Sequence, residues 1–161
     1  AKALLKATVV SCDVTTTALQ RSDMLGFEGF KVAKVNADGK KVYETKYRSV
    51  KYQKYRQSRS VKVTVQFALI SLETGKTEMS EIIKRERNSS TEYARYGGDH
   101  KNIYPARSNG SMWRLGRRDL MDQLGSNSNL TSETAMLDAT VQEIAGAAQT
   151  RVESEAKRLV Q

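Results

Sequence analysis

One cysteine, one histidine, one proline and one tryptophan occur among 161 residues, and each scarcity removes a class of explanation. Cys12 alone cannot close an internal disulfide, and amid apolar neighbours it reads as a small buried hydrophobe. His100 is equally solitary, and with no motif around either residue neither a Cys/His metal site nor a Ser-His-Asp arrangement is supported. No apolar run approaches the roughly 20 residues of a membrane-crossing helix, so the chain as given is expected to be soluble. The start, AKALLKATVVSC, is too short and too soon interrupted for a signal peptide. Since no Met precedes Ala1, the chain reads as a mature or trimmed product that has shed any targeting or lipidated segment.

Hydrophobic content of 39% with 28% charged residues is that of a folding chain, and the length suits one domain spanning 1–161. The net charge of +9 is unevenly spread. Residues 40–62 hold nine Lys and Arg against one acid, Glu44, while the remainder is close to neutral. This predicts an ordinary domain carrying one electropositive strip.

The clearest folding signal is VKVTVQFALISLETGK. Val61, Val63, Val65, Phe67 and Leu69 alternate with smaller or polar residues, as in a half-buried strand, and Glu73-Thr74-Gly75-Lys76 makes a turn into a second strand. Leu4 to Thr17 reads as a first strand, rich in Val and Thr and near the sheet centre, and 20–29 as a loop or short helical turn. Residues 30–35 and 41–47 flank Asn36-Ala37-Asp38-Gly39, an Asp-Gly hairpin signal. Residues 84–110 carry Gly97-Gly98 and the proline without sustained periodicity, and are expected to form an irregular excursion. A short helix is expected over 111–124, capped by Ser111, anchored by Trp113 and open to a break at Gly116. From about 131 to 160, Leu137, Val141, Ile144, Ala148, Val152, Ala156 and Leu159 recur at three or four residues, with Thr131 or Ser132 as cap. Ala145-Gly146-Ala147-Ala148 would let that helix approach a sheet closely, and Glu153–Lys157 and Arg151–Glu155 would pair along it. The predicted class is α+β: a mainly antiparallel sheet of hairpins with a long C-terminal amphipathic helix packed on one face.

Candidate binding residues lie in two places. The strip offers Lys46, Tyr47, Arg48, Lys51, Tyr52, Lys54, Tyr55, Arg56 and Arg59, a mixture of cations and rings able to neutralise phosphates and stack bases. It contains no RNP-type motif, helix-turn-helix pattern or zinc knuckle. The same charges suit an anionic polymer or membrane surface, or simply keep a sheet edge from associating. The excursion offers Tyr93, Tyr96, His100 and Tyr104. Asp119 with Asp122, and Asp99 beside His100, do not by themselves define an acid/base pair. No catalytic, cofactor or metal residue is assigned, and no small-molecule substrate is inferred. Asn-x-Ser/Thr triplets at Asn88, Asn109 and Asn129 would matter only in a eukaryotic secreted protein.

Over VQFALISLETGKTEMSE, and again over NLTSETAMLDATVQEIAGAAQTRV, the chain resembles bacterial envelope lipoproteins of the curli-secretion and penicillin-binding-protein-activator type. It departs from them in having no lipobox cysteine, and residues 84–110 have no counterpart. The resemblance implies a non-enzymatic assembly or interaction module in the periplasm or on the periplasmic face of the outer membrane. Such a module would bind a protein partner or itself. The alternative reading is a cytoplasmic single-stranded nucleic-acid binder using 40–62.

Overall fold

The computed structural model describes residues 2–160, with side chains described through Arg158. Ala1 and the Leu159 side chain, which the sequence places on the helix stripe, lie outside the described set. The strands are β1 (Ala3–Thr16), β2 (Gln20–Val35), β3 (Lys41–Ser71), β4 (Thr77–Arg95) and β5 (Ile103–Pro105). The helices are α1 (Arg117–Gly125) and α2 (Glu133–Val160). The class is the predicted one, a mostly antiparallel sheet with the long C-terminal helix packed against it.

β3, 31 residues long, pairs with two strands in succession along its length. β1 pairs antiparallel with its later half, Ala3 facing Ser71 and Thr16 facing Arg59. β2 pairs with its earlier half, Gln20 facing Arg56 and Val35 facing Lys41. β4 pairs with β3 after the turn at 72–76, and β5 adds to β2. Both expected turns are present. Asn36 Oδ1 accepts from the Asp38 and Lys40 amides at 3.1 and 2.9 Å, and Gly75 adopts φ +71°, which glycine takes without steric cost.

Two compact units are assembled from interleaved segments. Unit 1 comprises Ala1–Thr17, Ser58–Ser90 and Leu130–Gln161; unit 2 comprises Ala18–Gln57 and Thr91–Asn129. In unit 1, the predicted face of β3 is buried: Val61, Val63 and Phe67 join Ile83, Met136 and Ile144, with Val65, Leu137, Ala148 and Val152 at the margin. Ser132 caps α2 by accepting from the Ala135 amide at 3.1 Å. Thr140 lies fully inside because its hydroxyl donates to the Met136 carbonyl at 2.7 Å, which lets a polar residue stand in an apolar row. Val141, Ala145 and Ala156 are exposed, so the helix stripe is only partly buried. The expected Arg151–Glu155 pair does not form: Arg151 bonds Glu81 on β4, and Glu155 bonds Arg158.

In unit 2 the core is Tyr52, Ala94, Ile103 and Leu120, with Met24, Val50, Tyr96, Met121 and Leu124 packed against it. Here the sequence expectations need three corrections. Residues 20–29 are strand, not loop, because β3 extends far enough to pair every one of them. At Gly26 the Tyr52 ring comes so close that a Cβ would sit 3.1 Å from it, so glycine there marks an aromatic packed on a strand backbone. Residues 84–110 are not an irregular excursion: β4 continues to Arg95, and β5 follows a short 3-10 turn at His100–Asn102. Their polarity reflects a strand whose outward side chains are solvated, which blurs the period of two. The helix expected over 111–124 begins only at Arg117. Ser111 instead donates its hydroxyl to Asn109 Oδ1 at 2.6 Å, and Leu115 is 85% exposed.

Phe67→Ala should cost about 3–5 kcal/mol by emptying the centre of the unit 1 core, and urea unfolding of the full chain measures it. A loss below about 1 kcal/mol would contradict this packing.

Candidate functional site

Along β3 in unit 2 the side chains alternate between two faces, and this divides the predicted strip. Lys46, Arg48, Tyr52, Lys54 and Arg56 share one face; Tyr47, Lys51 and Tyr55 share the other. Arg59 belongs to unit 1, where it donates to Thr16 Oγ1 at 3.0 Å and to the Thr131 carbonyl at 2.6 Å.

The first face is largely neutralised. Glu28 stands opposite Arg48 in the register and is only 3% exposed. Arg48 Nε donates to its Oε2 at 2.8 Å, Nη2 donates to the same oxygen, and the Asp99 amide donates to Oε1 at 2.8 Å. The Arg48 bond, then the Asp99 amide, hold the Glu28 carboxyl below the usual glutamate value against the opposing effect of burial; the Tyr96 hydroxyl adds a smaller contribution. Burial, followed by the nearby Glu28 carboxylate, pushes the Tyr96 phenol up. Further along, Glu92 meets Lys54 at 3.2 Å and Arg56 at 3.3 Å. Burial raises Glu92, but those two bonds outweigh it and the net shift is downward. Lys46 has no acidic partner among the described residues.

The rings are similarly engaged. Tyr52 is 3% exposed in the core, and loss of solvent pushes its phenol up. Tyr55 stacks on Tyr93, centroids 5.0 Å apart and planes 13° from parallel, and the Arg95 guanidinium lies 4.6 Å from the Tyr93 centroid. Tyr47 meets Tyr104 edge to face at 5.7 Å, while Arg114 and Arg117 lie over the two rings at 5.5 and 5.3 Å. The structure therefore brings Tyr93 and Tyr104 to the strip, but as packing partners of its tyrosines. His100 Nε2 bonds the Tyr96 carbonyl. Asp99 caps the 3-10 turn, accepting from the Lys101 amide at 3.0 Å and the Asn102 amide group at 2.6 Å, and these bonds lower its carboxyl. Among the described residues no three His, Cys, Asp or Glu side chains converge closely enough to hold a metal ion.

A different site, in unit 1, escapes the sequence reading. Leu5, Ala7 and Val9 face Leu69, Phe67 and Val65 across β1 and β3, which places them on the core side of the sheet. They are nevertheless open: Leu5 is 48% exposed and Val9 62%. Together with Val141, Ala145, Ala148 and Val152 of α2 they line a groove of about 470 Å³, edged by Gln149 and Glu153. Small side chains at Ala7, Ala145 and Ala148 leave the space unfilled. Cys12, expected to be buried, is free and exposed, because this edge of the sheet lacks cover.

No family model, curated protein or solved structure matches the chain. No helix among the described residues is long and apolar enough to cross a membrane.

Two outcomes test this placement. Above the unfolded glutamate value of about 4.3, the Glu28 bonds favour the folded chain, and they are lost as pH falls through its lowered folded value. Glu28→Gln should therefore flatten the acid decline of the urea midpoint; an unchanged decline would count against the pairing. Tyr52→Ala should cost about 3–5 kcal/mol in the same assay, as expected of a core ring and not of a surface platform.

Proposed function

We propose that the chain is a non-enzymatic assembly or interaction module of the envelope-lipoprotein kind, acting in the periplasm or on the periplasmic face of the outer membrane. It binds a protein partner or a further copy of itself. The observation that carries this reading is the open apolar groove of unit 1, built from Leu5, Ala7 and Val9 of β1 and Val141, Ala145 and Val152 of α2. Contiguous apolar surface of this kind, edged by polar residues, is what a protein interface presents before it is occupied. The envelope assignment draws on the resemblance at VQFALISLETGKTEMSE and at the C-terminal helix.

Nucleic-acid binding through 40–62 has less support. Glu28 and Glu92 already hold Arg48, Lys54 and Arg56, and the ring faces that would stack on bases lie against other side chains. A membrane or another anionic polymer meets the same shortage of unpaired charge on that face.

A photo-cross-linking amino acid placed at Val9 or Val141 of the chain in its native host should yield protein adducts, recovered with the cell envelope. Cytosolic recovery without adducts at either position would overturn the reading.

A further inference from the structure

We infer that β1 pairs antiparallel with β1 of a second copy, in a register centred on Ala7, so that two copies close each other's grooves. This rests on the interaction reading above and names its occupant.

The first ground is the edge itself. β1 is the terminal strand on its side of the sheet, and β3 is its only partner among the described residues. Its outer N–H and C=O groups form an open ladder. Strands so placed are usually guarded by proline, by several charges or by brevity. β1 has 14 residues and no proline, and Lys6 is the only charge between Leu4 and Val10. Leu4, Leu5, Val9 and Val10 are all exposed there.

The second ground is self-complementarity, which an isologous contact demands. If both core faces stay on the same side of a joined sheet, the two-fold axis must pass where one residue faces its own image. Centring on Lys6 sets two cations directly opposite, which is unfavourable. Centring on Thr8 sets Leu5 against Ser11 and brings the bulge into the paired run. Centring on Ala7 sets Leu5 against Val9 twice on the core face and Lys6 against Thr8 twice on the other. No like charges meet, and the two smallest side chains meet at the axis.

The third ground is where the ladder would end. The regular pairing of β1 with β3 slips between Val9 and Ser11, leaving Val10 as an extra residue. The five residues that end at the bulge, Leu5 to Val9, are symmetric about Ala7. Within it, Leu5 and Val9 of each copy would lie over apolar surface that the other copy leaves open beside Val141 and Ala145.

The test uses the full chain. Sedimentation over a wide concentration range should show a monomer–dimer equilibrium, and Val9→Lys should weaken it at least about tenfold, since a cation replaces an apolar residue in a closed contact. Register is read by disulfide trapping in a Cys12→Ser background. Facing positions have Cβ atoms about 4.5–5.5 Å apart, near disulfide reach, so Ala7→Cys should cross-link readily under mild oxidation. Leu5→Cys would lie about 14 Å from its own image at 3.4 Å per residue and should not. A chain monomeric throughout, or one in which Leu5→Cys cross-links as readily as Ala7→Cys, overturns the inference. A monomer whose Val9 cross-links a different protein in the host rejects self-pairing and leaves the interaction reading standing. A monomer with no adduct removes both.

Discussion

Every backbone N–H and C=O along the 31 residues of β3 needs a partner, and its buried stretches around Tyr52 and from Val61 to Leu69 need cover, a demand that no one neighbouring element meets. The chain answers in sections. β1 supplies hydrogen bonds to the later half and α2 covers it, with Phe67 and Ile144 in one core. β2 supplies them to the earlier half, where Tyr52 packs with Ile103 of β5 and Leu120 of α1. Each compact unit is thus defined by which elements cover its stretch of one strand, which is why neither is continuous in sequence.

That dependence explains what could be read in advance. The face Val61, Val63, Val65, Phe67 and Leu69 follows a strict period of two and is buried as expected except at half-buried Val65, and Gly75 and the Asn36–Gly39 segment turn the chain where turn chemistry requires. Glu133–Val160 is helical because its apolar spacing persists for many turns. Residues 20–29 and 84–95 follow no such period. They are strands because a long neighbour pairs them, and pairing across distant sequence leaves little local trace.

The candidate sites show the same limit in electrostatic form. A count of Lys and Arg finds the strip, but it cannot find that Glu28 faces Arg48 or that Glu92 lies between Lys54 and Arg56, since those acids come from other strands. The tyrosines are conspicuous in the sequence, whereas their occupied faces are a product of the fold. The groove of unit 1 went unseen for the opposite reason. LLKATVV looks like ordinary core strand, and only the reach of α2 leaves Leu5 and Val9 uncovered. Ala145 and Ala148 were legible as a place of close approach, yet the same smallness opens a cleft.

The slip at Val10 also governs how β1 is written. Before it, the core-facing positions are odd-numbered, Leu5, Ala7 and Val9; after it they are even-numbered, with Cys12 and Val14 opposite Val63 and Val61. The strand therefore carries two alternating messages in opposite phase, spliced by one surplus residue. A search for a single period across Ala3–Thr16 averages the two and finds neither. With Val10 in place, a strand without the bulge would send Leu5, Ala7 and Val9 to one side of the sheet and Cys12 and Val14 to the other, so bulging out the one surplus residue is what keeps both halves facing the same way.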